Sequence, residues 1–171
     1  PQVQIENIIF SNNNDSTFTN KSIEWGLNDP SYSNGAAYAD FDNDGDLDLI
    51  ANNVAGSAFL YENRTINFTD KSVPSVNYLQ LLFEGLKSNV NGIGVKAFLY
   101  TQGTIQMQEC MPTRGFQSAV DLRLTFGTGK QSIIDSVLIV WNDGSFQKLV
   151  NVKTNQRIIV KQTNASGKFN Y

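Results

Sequence analysis

Residues 40–48 have the sequence Asp40-Phe41-Asp42-Asn43-Asp44-Gly45-Asp46-Leu47-Asp48, which places five of the 16 acidic side chains of this 171-residue chain in nine positions. Two carboxylates about 4 to 5 Å apart repel each other by about 3 to 4 kcal/mol at an effective dielectric constant of about 20. Without a counter-charge, such a loop would open or take up protons. The clustering therefore predicts a bound cation.

The spacing of the aspartates indicates which cation the loop binds. Carboxylates stand at every second position, and Gly45 stands at the sixth, where a sharp turn is needed. Such an oxygen-rich set suits a hard cation with about six to eight ligands, which favours Ca²⁺. Asp46, at the seventh position, is predicted to offer its backbone carbonyl. Four carboxylates are predicted to bind through their side chains: Asp40, Asp42, Asp44 and Asp48.

The flanks of the loop exclude an EF-hand. An EF-hand lies between two helices and closes with a glutamate at position 12, where this chain has Ala51. The short apolar segments at residues 36–39 and 47–51 are typical of strands. We therefore predict a strand-loop-strand arrangement around calcium. The alternative is a solvated acidic turn without an ion.

The composition excludes several functional classes. The chain has no histidine and a single cysteine, Cys110, so an internal disulfide, a Ser-His-Asp triad and a histidine metal site are excluded. The net charge is -3 and the 13 basic residues are scattered, which argues against nucleic acid or an anionic membrane as a partner. No stretch is apolar enough for a transmembrane segment. The sequence begins with Pro1, has no initiator methionine and contains no apolar signal segment, so Pro1 is expected to begin a mature or excised fragment.

The calcium loop also bears on location. A loop of millimolar affinity is filled mainly outside the cytosol, so we expect the protein to be extracellular, either at the cell surface or secreted, or else periplasmic.

Two sequence motifs recur in the first half of the chain. Residues 18–23 (Phe-Thr-Asn-Lys-Ser-Ile) return as residues 68–73 (Phe-Thr-Asp-Lys-Ser-Val), and residues 9–12 (Ile-Phe-Ser-Asn) return as residues 60–63 (Leu-Tyr-Glu-Asn). A period near 50 residues with short strands is typical of propeller blades, which need neighbours to bury their faces. Residues 1–74 are therefore predicted to hold one full repeat and part of another. Further repeats are expected upstream of Pro1.

The pattern changes after Pro74, and residues 75–171 are predicted to form a second domain. Apolar residues alternate with a period of two, and Gln102-Gly103 and Asp143-Gly144 mark hairpin turns. Residues 137–141 are apolar on both faces, which predicts a central strand. About seven short strands favour an antiparallel β-sandwich or open barrel. The chain as a whole is predicted to be all-β, with propeller-type blade material and its Ca²⁺ loop packed on this sandwich.

Three other motifs do not predict the chemistry that they resemble. Residues 92–97 fit a dinucleotide-binding glycine pattern, but the following residues alternate as in a strand, whereas that pattern requires a helix. Residues 127–130 resemble the end of a phosphate-binding loop, but Gln131 replaces the serine or threonine that would hold Mg²⁺. Glu109 and Asp121 could form a catalytic carboxylate pair, although a solvated sheet face near Gln106 and Gln108 also explains Glu109.

The sequence resembles two known families. Residues 35–49 are similar to the FG-GAP or VCBS-type calcium-binding repeat of integrin α-subunit propellers and bacterial surface proteins. The C-terminal part resembles the ASPIC/UnbV domain of cartilage acidic protein-like chains, through residues 77–79, 88–94, 108–109, 115–118, 126–129 and 135–144. Thr125, Thr128 and Asn142 depart from that family's usual His, Leu and Pro. The resemblance implies an extracellular, calcium-stabilised module and carries over no catalytic activity.

Three functional hypotheses follow. The first is a non-enzymatic, Ca²⁺-dependent surface or secreted module for adhesion or for recognition of a protein or glycan. The second is an accessory domain of a larger secreted enzyme acting on polysaccharides, with an active site upstream or in an acidic cleft around Glu109 and Asp121. The third is a C-terminal domain that only caps the last blade and shields its edge strand.

Overall fold

The structure is a computed structural model that describes residues 3–66 and 76–169. In these two ranges the chain forms fifteen β-strands and a single 3₁₀ turn at Gln162–Asn164. The predicted all-β fold is therefore confirmed. No helix in the described ranges is long and apolar enough to cross a membrane.

The N-terminal part forms three small antiparallel sheets. The pair β1 and β4 and the pair β2 and β3 form two of them, and the third has the order β5-β6-β7. None of these sheets closes on itself within the described residues. The strands are β1 (Ile5–Glu6), β2 (Phe10–Asn12), β3 (Phe18–Asn20), β4 (Pro30–Ser31), β5 (Ser33–Ala39), β6 (Asp48–Asn53) and β7 (Phe59–Tyr61).

The acidic loop connects β5 to β6, so the predicted strand-loop-strand arrangement is present. The shorter repeated motif also has matching structure, because residues 9–12 overlap β2 and residues 60–63 overlap β7. The second copy of the longer motif, residues 68–73, lies outside the described residues. The predicted domain boundary between residues 74 and 75 lies outside them too and stays a prediction.

The C-terminal part packs a five-stranded sheet, β10-β9-β12-β13-β15, against a three-stranded sheet, β11-β8-β14. The sandwich is antiparallel except that β14 runs parallel to β8, which the sequence did not indicate. The turn at Asn155 carries the chain from the larger sheet to the smaller one, and Asn155 exchanges hydrogen bonds with the backbone of Tyr78. The strands are β8 (Asn77–Glu84), β9 (Lys96–Thr101), β10 (Thr104–Glu109), β11 (Leu124–Gly129), β12 (Ile133–Val140), β13 (Ser145–Lys153), β14 (Gln156–Lys161) and β15 (Gly167–Lys168).

The core lies between these two sheets and follows the alternation of the sequence. Leu79, Leu81 and Phe83 of β8 point into it, and Phe83 meets Trp141 edge to face at 5.8 Å between ring centroids. Burying a side chain of this size contributes about 1.5 to 3 kcal/mol. Strand β12 is the third of five strands, so the predicted central strand is confirmed.

One side of the sandwich is bridged by side chains. The Gln106 and Gln108 amides of β10 donate to the carbonyls of Gly127 (2.8 Å) and Thr125 (2.7 Å) on β11. Gln106 and Gln108 are half-buried and bridge the two sheets, while the solvated face predicted at Glu109 stays a prediction. Their amides satisfy the free carbonyls of an edge strand, which would otherwise be open to pairing with another chain.

Candidate metal centre

The loop between β5 and β6 is shaped by its own aspartates. Asp42 Oδ1 accepts from the backbone N–H of Asp44 at 3.2 Å, and Asp44 Oδ1 accepts from that of Asp46 at 3.0 Å. Asn43 and Gly45 have positive φ angles of 64° and 107°, which asparagine and glycine tolerate best. These two successive turns coil the backbone so tightly that several carboxylates lie close together.

Three of the five predicted ligands converge. Asp40, Asp42 and Asp48 each bring one carboxylate oxygen to within 4.8 Å of the others. Asp40 and Asp48 are only 2% and 4% exposed, whereas Asp42 is exposed. Asp48 is held in place because its two oxygens accept from the backbone N–H groups of Phe41 (2.9 Å) and Asn63 (2.8 Å). The group of three could hold a metal ion.

Asp44 and Asp46 lie outside this group of three. Asp46 Oδ2 accepts from the backbone N–H of Ile66 at 2.9 Å, which fixes the segment after β7. Burial raises the pKa of Asp46 to about 6, against the hydrogen bond from Ile66, and neighbouring carboxylates add to the rise. Burial likewise raises the pKa of Asp44. The predicted roles of the Asp44 side chain and the Asp46 carbonyl as ligands remain predictions.

Two buried oxygens in the loop show that its residues fit a cation. Asp40 Oδ1 and Asp46 Oδ1 are shielded from solvent, and neither has a hydrogen-bond partner in the described part of the chain. A buried polar atom left without a partner costs about 1 to 3 kcal/mol, and more when it is charged. A divalent cation would remove that cost, and a site built only from oxygen donors suits calcium better than a softer metal.

The outer face of the three-stranded sheet of the C-terminal domain covers the loop. Gln80 of β8 is 1% exposed and donates its amide to Asp40 Oδ2 at 2.6 Å. Its carbonyl oxygen accepts from Arg157 Nε of the adjacent strand β14 at 3.1 Å. A continuous hydrogen-bonded chain therefore runs from β14 through β8 to the first aspartate of the loop.

Arg123 and Arg157 of the C-terminal domain both donate hydrogen bonds to the loop. Arg123 donates to the backbone carbonyl of Asp40 at 3.0 Å and to Asn43 Oδ1 at 3.1 Å, and it approaches Asp40 Oδ2 at 3.9 Å. Arg157 donates to Asn43 Oδ1 at 2.9 Å. Arg123 also forms an ion pair with Asp121. The sequence did not point to these residues, because single arginines in a strand pattern carry no local sign of a site.

Two further contacts join the domains. An added Cβ on Gly45 would lie 2.0 Å from Tyr78 Cε1, so the ring is packed directly on the loop backbone. Beside β5, which is an edge strand, Ser118 Oγ accepts from the backbone N–H of Ala36 at 3.1 Å. The segment before β11 thus covers part of an edge that would otherwise be free to pair.

The structure also locates the other candidate residues from the sequence. Asp121 is engaged by Arg123, and Glu109 ends β10 in a half-buried position. Cys110 is buried, and its pKa is raised first by that burial and then by Asp121 and Glu109, as expected of an inert thiol. Strand β9 begins at Lys96, within the glycine pattern of residues 92–97, so a strand follows the glycines as predicted, in place of the helix that a dinucleotide-binding pattern requires.

Comparisons with known proteins agree with the predicted order of domains. Residues 6–51 match the family described as FG-GAP-like repeat, and residues 85–167 match the family described as ASPIC and UnbV. A comparison with curated proteins gives no match. FG-GAP repeats are propeller-type units that often bind calcium and are typically extracellular. The two families together suggest an extracellular recognition or accessory module.

Proposed function

Because this chain carries an FG-GAP-like repeat followed by an ASPIC and UnbV domain, we propose that it is a non-enzymatic, Ca²⁺-stabilised extracellular module. Its task is adhesion, or recognition of a protein or glycan, at the cell surface or after secretion. The observation that carries the proposal is the convergence of Asp40, Asp42 and Asp48 beside a buried carboxylate oxygen that has no donor in the described part of the chain.

A bound ion would supply positive charge to the carboxylate oxygens, and the hydrogen bonds of the chain connect the strands. Asp48 begins β6, and its carboxylate holds the N–H of Phe41 after β5 and that of Asn63 after β7. Asp46 holds Ile66 in the same way. Neutralising these carboxylates stabilises the ends of all three strands at once. A ligand at a hundredfold excess over its Kd adds about 2.7 kcal/mol to stability.

Thermal unfolding in calcium and in a chelator tests this proposal. The wild-type protein is expected to melt at a higher temperature in calcium, and the increase should be lost in Asp42→Ala, because Asp42 is an exposed member of the converging group. Asp29→Ala is the matched control, since it removes an exposed carboxylate outside the loop and should keep the increase. A wild-type melting temperature that is the same in calcium and in chelator contradicts the proposal.

A second candidate is an accessory or capping domain of a larger secreted enzyme acting on polysaccharides. The contact between Ser118 and the edge strand β5 favours a capping role. The ion pair between Asp121 and Arg123 supports a structural use of this carboxylate. A glycan array run beside hydrolysis assays on the same sugars separates the candidates. Binding without turnover supports the recognition module, whereas turnover that Glu109→Gln abolishes supports the enzyme.

A further inference from the structure

We propose that the acidic loop is also the docking element for the C-terminal domain, so that calcium binding and domain docking strengthen each other. The inference rests on the proposed function, because it assumes that the loop binds calcium. It concerns four side chains that the aspartate spacing does not assign as ligands: Asn43, Gln80, Arg123 and Arg157.

Asn43 is the residue through which the arginines recognise the folded loop. Its Oδ1 accepts from both Arg123 Nη1 (3.1 Å) and Arg157 Nη2 (2.9 Å). Its φ of 64° belongs to the coiled conformation in which the neighbouring aspartates converge. An opened loop would move this oxygen away from both arginines. The two arginines therefore bind the same loop conformation that a cation would require.

Asp40 links calcium binding and domain docking more directly. One of its oxygens accepts from Gln80 at 2.6 Å, while the other is buried without a donor among the described residues. The carboxylate thus contacts the C-terminal domain on one side and keeps an oxygen for the ion. Each interaction fixes the carboxylate in the position that the other needs, which lowers the entropy cost of the second event.

Electrostatic repulsion does not prevent calcium binding and domain docking from occurring together. A lone guanidinium beside the loop would repel a cation, but Arg123 is paired with Asp121, so this pair adds no net charge. Arg157 is exposed, and water screens its charge. Preorganisation of the loop by the C-terminal domain is therefore expected to outweigh repulsion, and the C-terminal domain raises calcium affinity.

Hydrogen exchange at two backbone N–H groups outside the loop can be used to measure docking of the C-terminal domain. The N–H of Ala36 donates to Ser118 Oγ at 3.1 Å, and the N–H of Asp121 donates to the carbonyl of Tyr38 at 3.5 Å. Both bonds join the N-terminal sheet to the segment before β11. If calcium closes the interface, these amides exchange their hydrogens more slowly when calcium is present. By linkage, docking strengthens calcium binding by the same factor by which calcium strengthens docking, so a change that abolishes docking removes that gain in calcium affinity.

The test uses the full chain and an uncharged substitution in the loop. Asn43→Gly removes the oxygen that both arginines bind, allows the positive φ, and keeps all five aspartates and both arginines. Calcium affinity from isothermal titration calorimetry is expected to weaken about 5- to 30-fold. Calcium should then no longer slow hydrogen exchange in residues 33–39 and 112–122. Asn14→Gly is the matched control, since Asn14 also has a positive φ (62°) and lies outside the loop, and it should behave as wild type.

A second variant covers the case in which Asn43→Gly folds poorly. Gln80→Ala is also uncharged and removes the amide that donates to Asp40. It is expected to weaken calcium binding and to abolish the calcium-dependent protection in the same way. An unchanged calcium affinity in folded Asn43→Gly or Gln80→Ala overturns the inference.

The wild-type protein separates this inference from the proposed function. Calcium binding that leaves hydrogen exchange at residues 33–39 and 112–122 unchanged contradicts the docking role and leaves the proposed function standing. A wild-type chain that binds no calcium contradicts both.

Discussion

The ring of Tyr78 packs against Gly45 of the loop, and replacing this glycine with alanine measures how tightly the loop and the C-terminal domain pack. Gly45 has a φ of 107°, and an added Cβ would lie 2.0 Å from Tyr78 Cε1 and 2.3 Å from Tyr78 Cζ. The backbone conformation alone costs a residue other than glycine about 1 to 3 kcal/mol. Overpacking against the ring adds about 1 to 3 kcal/mol.

Gly56 offers a matched control for the backbone part of this cost. Its φ is 114°, and an added Cβ would meet nothing within 4 Å. Each kcal/mol shifts the melting temperature of a chain of this size by about 2 to 4 °C. Gly45→Ala is therefore expected to melt roughly 2 to 12 °C below Gly56→Ala when unfolding is followed by calorimetry in calcium.

The Tyr78→Ala background isolates the contact with the ring. Without the ring, the extra loss caused by Gly45→Ala over Gly56→Ala should disappear, which a double-mutant cycle measures. Equal melting temperatures of the two glycine variants, or an extra loss that persists when Tyr78 is absent, would show that the ring does not pack tightly on Gly45.

Three further predictions concern the C-terminal domain. Arg123→Ala leaves Asp121 without its ion-pair partner, so it is expected to lower the free energy of unfolding by about 3 kcal/mol in a urea titration. A decrease below about 0.5 kcal/mol would contradict the role of Arg123 in holding the loop. Cys110 should resist a thiol reagent at pH 8 while the protein is folded, because burial raises its pKa and disfavours the thiolate. The same thiol should react once urea unfolds the chain. Rapid labelling of the folded protein would be inconsistent with a buried thiol. Trp141→Ala should destabilise the protein by about 3 to 5 kcal/mol in the same titration, because the indole is 2% exposed in the core. Phe116→Ala is the control and should change stability little, because the Phe116 ring is exposed.

The local features of the site could be predicted from the sequence because they depend on residues close in the chain. The aspartate spacing and Gly45 fix a coiled loop, and the flanking apolar segments fix strands on both sides of it. The alternation of apolar residues likewise predicted the strands of the C-terminal sandwich. Here the pattern and the tertiary structure agree, because one face of each strand is buried in a single core.

The contacts between the domains could not be predicted in this way. Gln80, Arg123 and Arg157 come from separate parts of the chain and meet Asp40 and Asn43 only after the three-stranded sheet docks on the loop. The pairing of β14 with β8 in parallel depends on the same long-range packing. No periodicity or spacing within one segment encodes such contacts.

The charge of the loop cannot be judged from its own residues for the same reason. The repulsion among neighbouring carboxylates alone predicts that an unneutralised loop opens. In the structure, Arg123, Arg157 and the Gln80 amide donate hydrogen bonds to the loop from the C-terminal domain. These donors help to hold the loop closed, and the ion is expected to supply the counter-charge at the remaining oxygens.

Calcium is expected to occupy the loop between β5 and β6, and anomalous diffraction would locate the ion itself. Crystals grown in calcium and measured at a long X-ray wavelength are predicted to show an anomalous peak within coordination distance of Asp40, Asp42 and Asp48. Well-defined density for these three carboxylates with no anomalous peak between them would show that the loop does not bind calcium.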